Sequence, residues 1–285
     1  MDYIIIGAHK AGTSWVHKMF QQLPDFSKMP LKEFHFFDNS NKYDDIRPLS
    51  NTYFHKRIID KKWLFLCAKL IVKFFYVKEI SVKFLLFFFF SKYDDNWYVN
   101  FFRYFKKIKG DITPSYTTLK KSDINRMFHS CSKSTKIIFI LRDPIQRSWS
   151  NFKHAQKLGL YKNATEKQII KIINSDFVTN RSDYLQTISN YKLFFSDQQF
   201  KLFYYDELKN SPDVFLKKIV KFIGGDQNNV KKYCNTDKKV NFSNSKKIPL
   251  NVLKFLKNKY ENDMKTLSEK YGGYCNIWYN QYYND

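Results

Sequence analysis

Residues 3–14 constrain the fold more than any later stretch. Tyr3-Ile4-Ile5-Ile6 is an apolar run of strand length. Gly7 ends it, and Gly7-Ala8-His9-Lys10-Ala11-Gly12-Thr13-Ser14 follows. Trp15, Val16, Met19, Phe20 and Leu23 then mark a helical face that Pro24 closes. Strand, Gly-bounded loop and helix in that order begin an α/β fold. The loop feeds a helix N-terminus, where backbone N–H groups and the macrodipole favour an anion. Gly7 and Gly12 have the GxxxxG spacing of a Walker A loop, but Thr13 stands where that loop has its Lys. Lys10 lies inside the loop instead. The loop therefore suits a phosphate-like group rather than the usual ATP or GTP chemistry.

The same rhythm returns downstream. Lys136-Ile137-Ile138-Phe139-Ile140-Leu141 reads as a fully buried strand, and Pro144 opens the helix after it. Phe200–Tyr205 is a third strand candidate, with helices starting at Asp206 and Ser211-Pro212-Asp213. An amphipathic helix is expected from Pro249 to about Tyr271. The expectation is an α/β, three-layer fold with a central, mainly parallel sheet and a P-loop-like donor site. It forms one domain over 1–285, with a Phe/Lys-rich helical insertion at about 41–95.

Two readings of that insertion stand open. Lys61–Phe90 is very apolar but interrupted by Lys, and no run reaches the length of a membrane span. It forms either lid helices over an acceptor cleft, Phe inward and Lys outward, or an interfacial helix on anionic lipid. Lys62, Lys69 and Lys73 share one helical face.

Charge and cysteine content narrow the partners. The formal net charge of +23 points to anionic ligands. The lysines are scattered, so nucleic acid is not expected. Four Cys without a CxxC pair predict free thiols in a reducing, cytoplasmic compartment. Met1-Asp2 runs straight into the first strand, which predicts no leader and no N-terminal anchor.

Three further segments carry chemistry: Lys32-Glu33-Phe34-His35-Phe36-Phe37-Asp38, Gly110-Asp111-Ile112-Thr113-Pro114-Ser115-Tyr116, and Leu141-Arg142-Asp143-Pro144 continuing to Phe152. With the Lys10 loop, in this order, they resemble the sulfotransferases that use 3′-phosphoadenosine 5′-phosphosulfate (PAPS). The nearest branch is the heparan sulfate type and its bacterial relatives. The resemblance spans about residues 2–40 and 96–275.

The resemblance implies PAPS as donor substrate, no metal, and a hydroxyl- or amine-bearing glycan as acceptor. It implies that Lys10, Ala11, Gly12, Thr13 and Ser14 hold the 5′-phosphosulfate, with His9 bordering them and Lys10 at the bridging oxygen. Arg142 and Ser150 match the pair that binds the 3′-phosphate. Glu33 matches the general base, and His35, a base in another branch, is expected beside it. Ser245-Lys246-Lys247 resembles a loop that closes over the nucleotide. Ile112 stands where heparan sulfate enzymes often carry a substrate-contacting Lys.

The chemistry also follows from the reaction. In sulfuryl transfer a carboxylate at hydrogen-bond distance can take the acceptor proton, and cations stabilise the leaving phosphate. Burial near Phe34, Phe36 and Phe37 is expected to raise the Glu33 pKa. No HExxH or paired Asp/His cluster suggests a metal. Two alternatives remain: a P-loop kinase-like phosphotransferase, and a non-catalytic anion-binding or membrane-surface protein.

Overall fold

Tyr3–Gly7 (β1), Gly110–Ile112 (β2), Lys136–Leu141 (β3) and Phe200–Tyr204 (β4) form an all-parallel sheet in the order β2-β1-β3-β4. This computed structural model describes residues 1–38, 49, 52–77, 79–237 and 247–284. Every residue of β1 is buried, as are Ile137–Leu141 of β3. Strands buried on both faces need helices on both faces, and the continuous apolar runs of the sequence supply that burial. β4 alternates, with Lys201 exposed between Phe200 and Phe203, as an edge strand does.

The helices that matter here are α1 (Thr13–Phe20), α2 (Lys61–Phe74), α3 (Val82–Phe90), α4 (Asp95–Phe101), α5 (Pro144–Lys157), α6 (Tyr184–Lys192), α7 (Tyr205–Asn210), α8 (Pro212–Ile223) and α9 (Leu250–Tyr271). The sheet is thus parallel throughout. The strand at Gly110–Ile112 is too short for a hydrophobic period to reveal it.

Sheet order locates the site. β2 lies on one side of β1, while β3 and β4 lie on the other. The strand order therefore reverses between β1 and β3, and open parallel sheets bind ligands outside the carboxyl ends of the strands at such a point. The Lys10 loop leaves β1 there, and Arg142 follows β3 directly.

Aromatic side chains join the insertion to the rest. Phe34 sits edge-on to Phe101 at 4.7 Å, and Phe36 stacks on Tyr98 at 4.6 Å. Phe84 of α3 packs on Phe101 at 5.2 Å. Such pairs add about 0.5–1.5 kcal/mol beyond area burial. Arg57 is fully buried, its guanidinium 3.7 Å from the Tyr93 ring, and it donates to Phe89 O and Ser91 O at the end of α3.

The orientation expected for the insertion needs correcting. Phe84 and Phe88 point inward, but Phe65, Phe75 and Phe90 face solvent. Lys73 is half-buried and its Nζ donates to Pro30 O at 2.6 Å. The buried stripe of α2 is Trp63, Cys67 and Leu70, which leaves a second apolar face outside. A helix apolar on both sides cannot send every Phe to one of them.

Candidate active site

The loop from Gly7 to Gly12 has no room for side chains where it turns. Gly12 has φ +88, and a Cβ there would meet Leu208 Cδ2 at 2.5 Å. A Cβ on Gly7 would meet Thr117 Cγ2 at 2.5 Å. Lys10 itself adopts φ +66. Ala11 and Thr13 are buried, while His9, Lys10 and Ser14 are partly open. Gly12 caps α1 without a side-chain hydrogen bond, so the first N–H groups of the helix are not satisfied by a cap.

Arg142 closes the loop from the β3 side. Its Nη1 donates to Lys10 O at 2.6 Å, and its guanidinium lies 4.6 Å from the Tyr205 ring centroid. Tyr184 OH donates to Arg142 O at 2.7 Å, which fixes the turn out of β3. Asp143 does not pair with Arg142. It caps α5 by accepting from Ile145 N and Gln146 N, and accepts from Tyr282 OH at 2.7 Å. Arg142 has no ion pair among the described residues.

Ser150 is half-buried on α5, and the same helix face carries His154 and Lys157 one and two turns on. Both Lys10 and Lys157 lower the His154 pKa, after burial. That face of α5 therefore looks toward Lys10. Burial, then Arg142 and Lys157, lower the Lys10 pKa to about 8. His154, Lys157 and Tyr205 border this crevice and carry no motif in the sequence.

Glu33 sits on a second cluster. His35 Nε2 lies 3.2 Å from Glu33 Oε2, and His35 Nδ1 lies 2.8 Å from Asp38 Oδ2. Ser115 Oγ donates to Asp38 Oδ2 and sits 3.0 Å from His35 Nδ1. Lys32 Nζ donates to Glu33 Oε1. The His35 ring thus bridges Glu33 and Asp38 through its two nitrogens.

The end of β2 holds this segment in place. Phe34 N donates to Thr113 Oγ1 at 2.9 Å and Phe36 N to Tyr116 OH at 3.0 Å. Fully buried Asp111 accepts from Thr113 Oγ1, Tyr98 OH and Tyr116 OH. Burial raises its pKa to about 6 against those three hydrogen bonds. The 110–116 motif thus positions Glu33, a role the sequence did not reveal.

One expectation for Glu33 is overturned. Burial does push its pKa up, but the hydrogen bond from His35 and the charge and hydrogen bond of Lys32 outweigh it, leaving about 2. Phe34, Phe36 and Phe37 turn into the aromatic core, while the Glu33 side chain remains about one-third exposed.

His9, in the donor loop, and His17, on α1, both lie near Glu33. His9 Nδ1 is buried with no hydrogen-bond partner among the described residues. Burial, Arg181 and Arg147 hold His9 neutral, although Glu33 opposes them. Burial, with Lys32 and Lys73, lowers His17 to about 4. Ser245 and Lys246 lie outside the described residues, and Lys247 is exposed.

The sulfotransferase domain family model matches residues 1–281. The chain belongs to the sulfotransferase family. The family match makes it a PAPS-dependent sulfotransferase enzyme. A crystal structure of a sulfotransferase from Alicyclobacillus acidocaldarius is similar in fold, with TM-score 0.60 and 17% identity over 97% of this chain and 98% of that one. The sulfotransferase domain from the curacin biosynthetic pathway aligns with TM-score 0.47 and 14% identity over 79% of this chain and 74% of that one. No curated protein matches the sequence.

For this sulfotransferase, nucleotide binding should depend on pH through Lys10. The free protein loses the Lys10 proton as pH rises through about 8. Bound phosphate keeps that proton on, so binding takes up a proton above pH 8. Affinity for adenosine 3′,5′-bisphosphate should fall up to about tenfold per pH unit there. Calorimetry in buffers of different ionisation enthalpy measures the uptake. Lys10→Met should flatten the slope, and a wild-type affinity constant to pH 10 would contradict the assignment.

Proposed function

We propose that the sulfotransferase holds PAPS across the β1–β3 crevice and transfers its sulfuryl group to a carbohydrate hydroxyl or amine. The observation that carries this reading is the Arg142 Nη1 to Lys10 O hydrogen bond, which joins the two anion-binding elements. The fit is supported by the loop that Gly7 and Gly12 keep clear, by the uncapped α1, and by an Arg142 without an ion pair among the described residues. The N–H groups of Gly12, Thr13 and Ser14 and the Lys10 ammonium hold the 5′-phosphosulfate, with Ala11 lining the loop. Arg142 and Ser150 hold the 3′-phosphate, and the likeness to the heparan sulfate branch assigns contacts with the nucleotide to Ser245, Lys246 and Lys247. His9 borders the transferred group. We place this chemistry in one domain of 1–285 and in the cytoplasm, in keeping with four free thiols.

Bound PAPS supplies the sulfuryl group. The chain's residues do the rest. Glu33 Oε2, oriented by His35, accepts the acceptor proton. Both His35 nitrogens are engaged by Glu33 and Asp38, so the ring orients the carboxylate. Asp38 and Ser115 hold His35. Lys10 and the start of α1 stabilise the charge that grows on the leaving phosphate. Carbohydrate as acceptor rests on the Glu33 motif's likeness to the heparan sulfate branch. Incubation with sulfur-labelled PAPS and a panel of glycans, lipid-linked alcohols and phenols tests it. Label on glycans supports the reading. Label confined to phenols overturns the carbohydrate assignment.

A further inference from the structure

We infer that the outer face of α2 and α3 is a docking surface for an anionic lipid bilayer. More than half of the exposed large hydrophobic side chains among the described residues lie between 53 and 90. On α2 and just beyond it Phe65 is 62% exposed, Val72 52% and Phe75 77%. On α3 Val82, Leu86 and Phe90, spaced four apart, are all more than half exposed. The inner faces are already used: Trp63, Cys67 and Leu70 of α2, and Phe84 and Phe88 of α3, are buried. An exposed apolar patch of this kind marks an interaction site.

Charge identifies the partner. Residues 52–92 contain nine Lys and Arg against two acidic residues, Asp60 and Glu79. Both acids are engaged: Asp60 caps α2, and Glu79 Oε2 accepts from Lys28 N at 2.8 Å. Lys61, Lys62, Lys69 and Lys83 stay exposed beside the apolar residues. Lys69 Nζ lies over the Phe65 ring, 4.1 Å from its centroid, so cation and apolar ring share one spot on the surface. Apolar side chains bordered by cations fit the boundary between acyl chains and anionic headgroups. A second copy of this chain would bring the same cations together, which opposes self-association. No helix among the described residues is long and apolar enough to cross a membrane, so the contact is peripheral. Lys73 ties α2 to Pro30, just before Lys32 and Glu33, so the docked helix also borders the mouth of the site.

The test is co-sedimentation of the full chain with vesicles of phosphatidylcholine containing about 30 mol% phosphatidylglycerol, against pure phosphatidylcholine. The wild type should bind the anionic vesicles. Phe65→Ser with Val72→Ser and Phe75→Ser keeps the net charge and should lower the partition coefficient at least about tenfold. A control variant, Lys254→Ser with Lys265→Ser on exposed positions of α9, should bind nearly as the wild type does. Circular dichroism melts establish that each variant is folded. Equal binding by the wild type and the triple variant would mean diffuse charge alone and overturn the proposal. So would failure of the wild type to bind. A wild-type dimer in light scattering that the triple variant dissolves would assign the face to a second copy and overturn it equally.

Discussion

Glu33→Gln should leave donor binding intact and lower turnover about 10²–10⁴-fold, the usual contribution of a general base. Gln keeps the size and can still hydrogen-bond to Lys32, but it cannot take a proton. The free carboxyl, at about 2, is ionised at every working pH. Its basicity is low because His35 and Lys32 hold the charged form. An acceptor hydroxyl that displaces Lys32 removes one of those hydrogen bonds and raises the basicity where it is needed. The acid limb of kcat/KM, which reports the free enzyme, should therefore not show a Glu33 titration near pH 4 to 5. His35→Ala should cost less than Glu33→Gln, because His35 positions the carboxylate. Normal turnover in Glu33→Gln beside a dead His35→Ala would make His35 the base.

Lys10→Met should lower the single-turnover rate about 10²–10³-fold, as loss of a preorganised charge on a developing anion does. Its carbonyl bond to Arg142 is a backbone contact, so the loop keeps that tie in the variant. Burial beside Arg142 and Lys157 makes the ammonium costly in the free enzyme. An anion that grows in the transition state relieves that cost, so the effect should fall more on kcat than on KM. A change in KM alone would show that Lys10 only binds the donor.

Much of this site was legible because its parts are local. β1, the Lys10 loop and α1 are contiguous, and apolar runs bounded by Gly announce them. β3 and β4 were readable from their apolar runs. β2 was not, since Gly110-Asp111-Ile112 has no period to read, and its meaning lies in side chains nearly eighty residues from their partners. The Glu33 environment was misread because burial and hydrogen bonding shift a carboxyl in opposite directions. Sequence shows the neighbouring Phe residues but not that His35 and Lys32 reach the carboxylate. The insertion was half legible: its helices follow from composition, but which apolar face is covered depends on Phe101, packed from outside it.

The central claim is that Arg142, Ser150 and the Lys10 loop form one donor site that reads a 3′-phosphate. Calorimetric titration of the enzyme with adenosine 3′,5′-bisphosphate and with AMP tests it most directly. The 3′-phosphate should tighten binding to the wild type by about 10- to 100-fold, and Arg142→Ala should remove most of that difference, the usual size of a charge-assisted contact. Equal affinity of the wild type for the two nucleotides would contradict the claim.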